Sequence, residues 1–286
     1  MKKYILYRIA FFFSYLLPRR FAYWISIHMA NQFYRFDHYA RFAIKSNQKR
    51  IFKYRGVNPS EKDLDQLVRK TFKSFGKYLV DFFWFSRISR AEIRHLVHIE
   101  HPEYLKQAIA LHKGLLIITA HIGSWEVGAA IFSALGHPLT AVVLPQEIEK
   151  MNKLFQECRK KRGINVIPLG NAVRGIITAL QAKQFVALLA DKDYSKRNDL
   201  VDFFGAPARF PRGPKWFFNN TEAPLLPGFL LRKDDDSFIL RFYPPIIHKQ
   251  GFSSEDAQKQ ICAILEKEIG ENPEQWFIFD DFWKPR

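Results

Sequence analysis

His121 and Glu126 stand five positions apart in the stretch 119–126 (TAHIGSWE). A histidine beside a carboxylate is a poised general base: the acid holds one ring nitrogen as a donor and leaves the other free to take a proton from a hydroxyl. On a continuous helix the two side chains would lie roughly 140° apart at 3.6 residues per turn. The pair therefore converges only where the chain turns sharply, and Gly123 and Ser124 supply that turn. A helix N-terminus close by disfavours imidazolium and helps keep the ring neutral. The plain alternative is a satisfied structural histidine at a strand end.

The flanking residues predict the elements that hold the pair. Leu115–Thr119 reads as a buried strand, and from Trp125 to Leu135 the spacing turns helical, with Gly136 closing it. From Val97 onward strands and helices alternate. Further strands are expected at Thr140–Val143, Asn165–Ile167 and Phe185–Ala190, with helices near Ile148–Arg162 and Ala172–Ala182. The fold class is α/β, a mostly parallel central sheet covered by helices, where sites gather at the carboxyl ends of strands. His121 and Asp191 both fall just past strands and could share one crevice. Asp191 and Asp193 together would suit Mg²⁺ in isolation, but without phosphate-binding glycines loop solvation or a helix cap fits better. Leu225–Leu231 and Phe238–Phe242 read as late strands joined by a turn at 233–236, and a last helix at about Glu255–Ile269 as plain surface. Ser60 caps an earlier helix that runs through Leu79. It leads into the aromatic cluster Phe82, Phe83, Trp84 and Phe85, either core or lining for an acyl chain. There is no P-loop, no G-x-G-x-x-G and no G-x-S-x-G elbow, which weakens nucleotide-dependent and common hydrolase readings.

The chain has 286 residues, 48% of them hydrophobic, enough for a buried core and against disorder. Its net charge of +16 is unevenly placed: residues 1–60 hold twelve Lys or Arg against the single acid Asp37. Bases interleaved with Tyr, Phe, Trp, Ile and Leu favour an anionic bilayer over nucleic acid, for which no module is recognisable. The run Tyr4–Leu17 falls short of the about 20 apolar residues that cross a bilayer. It ends in Pro18, Arg19 and Arg20 without a small-residue cleavage site, so it is read as retained. With Phe21–Tyr34 it makes residues 1–36 a membrane-associating helical anchor ahead of an α/β domain at 37–286; an ordinary N-terminal core helix is the alternative. Cys158 and Cys262 have no metal or redox spacing and read as reduced packing thiols.

Residues 121–126 (HIGSWE) resemble the H-x-G-N-W-E pattern of the lipid A late acyltransferases, the lauroyl and myristoyl transferases of lipopolysaccharide assembly, and the broader H-x4-D/E signature of glycerolipid acyltransferases. Ser124 replaces the usual Asn. Other blocks match in order: Arg159 ahead of Gly163, residues 190–193 (ADKD) for A-D-Q-D, residues 203–208 (FFGAPA) for F-F-G-x-P-A with Gly213 following, and residues 273–276 (PEQW) for P-E-Q-W. The tail departs: where the family reads W-x-W-x-H-x-R, this chain carries Asp280 and Asp281, which bears on the acceptor more than on the reaction.

The resemblance implies acyl transfer from an acyl carrier protein or coenzyme A thioester to a hydroxyl of a lipid A precursor, with no cofactor or metal, at the cytoplasmic face of the bacterial inner membrane. Another glycolipid, such as a phosphatidylinositol mannoside, is the alternative acceptor. A non-catalytic lipid-binding membrane-surface protein is the competing class, and a thioesterase using the same base on water is another. His121 is expected to act as base and Glu126 to orient its ring. Ser124 fits a cap better than a nucleophile, and the backbone N–H groups of the turn after His121 are the candidate oxyanion donors. Arg159 is expected to bind a phosphate through its guanidinium fork, with Asp191 and Asp193 shaping the crevice or holding that arginine. Arg212 and Arg232 are secondary phosphate candidates.

Overall fold

The computed structural model describes residues 8, 11–85, 89–145, 148–194 and 198–284. Of the run Tyr4–Leu17, residues 4–7, 9 and 10 lie outside them. Helical turns at 11–16 lead to Pro18 and then α1 (Arg19–Phe36), α2 (His38–Tyr54) and α3 (Glu61–Trp84). Asp37 stops α1 and caps α2, accepting from the Ala40 N–H at 2.9 Å. Ser60 starts α3 through a reciprocal capping box with Asp63. The apolar stripe of α3 (Leu64, Val68, Phe72, Val80, Phe83) is buried, and α1 lies along it: Ala22, Tyr23 and Val80 form one small core. The segment set apart by composition is thus fastened to the rest from Arg19 onward.

There follow α4 (Arg90–Leu96), β1 (Val97–Glu100), α5 (Pro102–Ala110), β2 (Leu115–Thr119), α6 (Trp125–Ala134), β3 (Leu139–Val143), α7 (Glu149–Lys161), β4 (Ile164–Pro168), α8 (Ala172–Gln181) and β5 (Phe185–Leu189). The chain ends with β6 (Asn198–Phe203), β7 (Ala206–Pro211), α9 (Gly213–Asn220), β8 (Leu225–Arg232), β9 (Phe238–Phe242) and α10 (Ser254–Glu271). The sheet runs β1-β9-β8-β2-β5-β3-β4, parallel at every junction except β8/β9. The fold is the mostly parallel α/β architecture expected.

All five residues of β2 are buried because both faces of the sheet are covered. Successive side chains alternate between two cores. Leu116 and Ile118 meet α8, α9 and α10 on one side; Leu115 and Ile117 meet α5 and α6 on the other. One sequence expectation is corrected and two elements are new. The last helix is core rather than surface, with Ala257, Leu265 and Ile269 fully buried; its acids mask an apolar stripe. Residues 198–211 form the hairpin β6–β7, which the sequence reading did not foresee and whose turn residues Phe204 and Gly205 both have positive φ. The short edge strand β1 was not anticipated, since four residues carry too little periodicity to read.

Candidate active site

Parallel pairing of β2 with β5 sets Thr119 opposite Leu189. Two residues beyond each lie His121 and Asp191, side by side at the carboxyl edge. The His121 Nδ1–H donates to Asp191 Oδ1 at 2.8 Å, and the His121 backbone N–H donates to Oδ2 at 3.0 Å. A third donor, the Trp276 indole Nε1–H, reaches Oδ2 at 2.9 Å. Asp191 is fully buried. Burial is the largest influence on its carboxyl and pushes it up, but the His121 ring and these bonds outweigh it, so it titrates below the usual carboxylate range. An ionised acceptor at Nδ1 fixes the tautomer, leaving Nε2 with a lone pair. Among the described residues nothing takes Nε2, and the ring is 14% exposed.

The expectation that Glu126 orients this ring is corrected: Asp191 does so. Glu126 lies in the first turn of α6 and binds Arg159 of α7 instead, with Arg159 Nε donating to Oε2 at 3.1 Å and Nη2 to Oε1. Arg159 is buried. Burial pushes its guanidinium down, and the Glu126 charge more than restores it, leaving it raised. Behind this ion pair lies a hollow of about 10 Å³ walled by Phe82, Phe85, Val127, Ala130, Cys158 and Ile164, room for one water rather than a hydrocarbon tail. Phe82, Phe83 and Phe85 are buried core.

The turn between His121 and α6 is held from two sides. Gly123 has φ +61°, and a Cβ there would run into the Leu230 carbonyl oxygen. Its N–H donates to the Gln275 carbonyl at 2.9 Å, and the Ser124 N–H to the Leu230 carbonyl at 2.7 Å. Both amides are therefore occupied and are not free oxyanion donors. Ser124 is buried and precedes α6 without a side-chain cap bond, a second correction. Trp125 packs edge-on to the imidazole at 5.3 Å and stacks on Tyr78 at 4.3 Å; Tyr194 flanks the ring at 6.2 Å.

The tail closes over the turn. Ile122 and Trp276 form an antiparallel bridge, and the Phe277 N–H donates to the His121 carbonyl at 2.7 Å. The Gln275 amide bonds both the backbone N–H and C=O of Arg232, at 2.9 and 3.0 Å. Two departures from the family pattern meet here: Lys192 Nζ bonds Asp280 Oδ2 at 2.7 Å and lies 5.2 Å from the Tyr194 ring centre. The two charges neutralise each other.

Arg232 is not a free phosphate candidate. It is buried against Asp81, Tyr23 and Asp236, and Arg19 of α1 joins Asp81 at 3.1 Å. This ion cluster ties α1 to the end of β8. Arg212 is exposed and bonds Asp199 Oδ1 at 2.7 Å. Asp193 accepts from Asn198 at 3.3 Å at the root of the hairpin. Neither Asp191 nor Asp193 holds Arg159. Sequence reasoning missed Trp276 and Gln275 as parts of the site. Their signal was a tail motif far along the chain, which carries no local spacing relative to His121.

Several known proteins are similar to this chain. A phosphatidylinositol mannoside acyltransferase of Mycolicibacterium smegmatis is 24% identical over 226 residues, 77% of this chain and 73% of that protein. The lipid A biosynthesis palmitoleoyltransferase of Escherichia coli is 26% identical over 232 residues, covering 79% and 74%. The crystal structure of the 1-acyl-sn-glycerophosphate acyltransferase PlsC from Thermotoga maritima superposes with a TM-score of 0.43 at 13% identity, over 91% of this chain and 100% of that one. Residues 1–285 match the bacterial lipid A biosynthesis acyltransferase family, and the chain belongs to that family of acyltransferases.

Proposed function

We propose that this protein moves a fatty acyl group from an acyl carrier protein or coenzyme A thioester to a hydroxyl of a lipid A precursor, at the cytoplasmic face of the bacterial inner membrane. The observation that carries the reading is the His121–Asp191 pair at the carboxyl edge of adjacent parallel strands. Asp191 holds Nδ1–H, and Nε2 removes the acceptor hydroxyl proton as the oxygen attacks the thioester carbonyl. The C–O bond forms, the C–S bond breaks, and the thiolate recovers the proton from the imidazolium, which Asp191 has stabilised meanwhile. No acyl-enzyme is needed. Ser124 is buried, and burial pushes the Cys158 thiol up to about 11, far from a reactive thiolate. Glu126 serves the same site by holding Arg159 charged at its back wall. A phosphate reaching Arg159 would exchange with Glu126, whereas Arg212 offers a more open guanidinium, and Asp193 shapes the mouth.

Another glycolipid acceptor, such as a phosphatidylinositol mannoside, is favoured by one observation. Lys192 and Asp280 cancel beside the base, so this wall offers a phosphorylated acceptor no net positive charge.

Membrane contact is the third part of the proposal. Residues 1–36 serve as the anchor, and Phe21, Trp24 and Phe36 of α1 are exposed together with Tyr39 and Phe42 of α2 and Phe12, Tyr15 and Leu16 before them. Among the described residues no helix is long and apolar enough to cross a bilayer. The test is mass spectrometry of total lipids from cells with and without the protein. The deletion should accumulate a species lighter by one acyl chain, restored by the wild-type chain and not by His121→Ala; an unchanged lipid profile would reject the proposal.

A further inference from the structure

We propose that Trp276 is a positioning residue for the transfer: its indole N–H fixes the Asp191 carboxylate, and through it the His121 ring, in the orientation that presents Nε2. The inference rests on the reading of His121 as the base.

A carboxylate with no solvent exposure must have its oxygens satisfied by the protein. Asp191 has three donors, and two of them, the His121 N–H and the ring itself, belong to the residue being oriented. They move with it and cannot anchor it. The indole is the donor that comes from elsewhere in the fold. It is itself immobilised, 3% exposed, with Phe282 edge-on at 5.1 Å and its backbone bridged to Ile122. Gln275 and Phe277 on either side are bonded to Gly123 and His121 through the main chain. An indole that served packing alone would need no donor aimed at the carboxylate. Phenylalanine would fill most of the same space and leave Oδ2 one donor short.

The test compares wild type, Trp276→Phe and a full-length chain carrying benzothienylalanine at 276, an indole isostere with sulfur in place of N–H. Each is assayed in vesicles with lauroyl-acyl carrier protein as donor and a membrane lipid extract as acceptor. Both variants should lose about tenfold or more in kcat with the apparent KM for the thioester unchanged. The acid limb of kcat/KM should move to higher pH, because a carboxylate with one donor fewer binds the proton shared with His121 more tightly. Lys192 and Tyr194, the other titratable groups beside the ring, are untouched in both variants. If Trp276→Phe does not fold, the isostere decides. Wild-type kcat and pH limb in the isostere would overturn the inference, as would a lower kcat with an unmoved limb, which is what lost packing predicts. His121→Ala runs alongside. If it keeps turnover, the base assignment falls and this inference with it; if it is inactive while the isostere matches wild type, only this inference falls.

Discussion

Asp191 is fully buried, and a buried carboxylate is tolerable only while hydrogen-bond donors or opposite charges satisfy it. Asp191→Asn keeps the shape and removes the charge. It should lower kcat on the order of 10²–10⁴-fold while the protein stays folded at neutral pH, measured by initial rates beside a melting curve; near-normal turnover would remove Asp191 from the mechanism. The same residue sets a stability window. Its folded pKa lies below the unfolded value of about 3.9, so its contribution is complete above that pH and is lost only as pH falls further, through the depressed value. Acid titration of the fold should therefore be shallower in Asp191→Asn below about pH 4. Glu126 and Arg159 behave differently, since each neutralises the other inside the protein. Removing either one leaves an uncompensated buried charge, a cost of about 3–5 kcal/mol. The double variant Glu126→Ala/Arg159→Ala should melt above the value that the two single losses add up to; strict additivity would show the pair to be uncoupled.

At the scale of elements, register rather than spacing brings His121 and Asp191 together. His121 and Glu126 are five apart in sequence, yet the turn at Gly123 sends them to different partners. His121 and Asp191 are seventy apart, yet they are adjacent because Thr119 and Leu189 are opposite in parallel strands. The apolar runs, Gly136 and the alternation of patterns made the strands, helices and carboxyl edge legible, and they placed both residues just past strand ends. They did not show which strands are neighbours, since the hydrogen-bond order of a parallel sheet leaves no mark in local sequence. The last helix was misread for a related reason. Its acids at Glu255, Asp256 and Glu266 dominate the composition, while the stripe Ala257, Ile261, Leu265, Ile269 at four-residue steps decides which face packs. The Lys192–Asp280 pair is an element-scale contact too, joining the loop after β5 to the tail. Asp280→Ala leaves the ammonium unopposed beside His121. It should lower the KM of a phosphorylated acceptor relative to a neutral glycolipid, and equal effects on both acceptors would show that this wall does not read charge.

The whole molecule is polarised, with twelve of its bases and a run of exposed aromatics in the first sixty residues. On α1 Phe21, Trp24, His28, Gln32 and Arg35 are exposed at three- and four-residue steps along one stripe, with Arg20, Phe33 and Phe36 exposed as well, and the buried residues Ala22, Tyr23 and Ala30 face α3. The aromatic rings of Phe21 and Trp24 stack at 5.6 Å and point away from the core. A soluble monomer gains nothing from such a stripe, whereas an interface between water and acyl chains takes aromatic rings and basic flanks together. Because Arg19 and Tyr23 on the inner face bond Asp81, and Arg232 bonds the same carboxylate, the stripe is rigidly tied to β8 and, through Gln275, to the turn after His121. A bilayer under α1 would thus hold the mouth of the site at a fixed height above the lipid, where an acceptor already embedded can present its hydroxyl. The quadruple change Phe21→Ser, Trp24→Ser, Phe36→Ser and Phe42→Ser removes four of the exposed aromatic rings of this contact, leaves Phe12, Tyr15, Leu16 and Tyr39, and keeps the basic residues. In flotation with vesicles containing anionic lipid, wild type should stay bound as salt rises, while the variant should bind only at low ionic strength, where unscreened charge suffices. Its turnover on acceptor presented in vesicles should fall well below its turnover on the same acceptor in detergent micelles. If the variant floats as well as wild type at high salt, the aromatic stripe is not what holds the protein to the membrane.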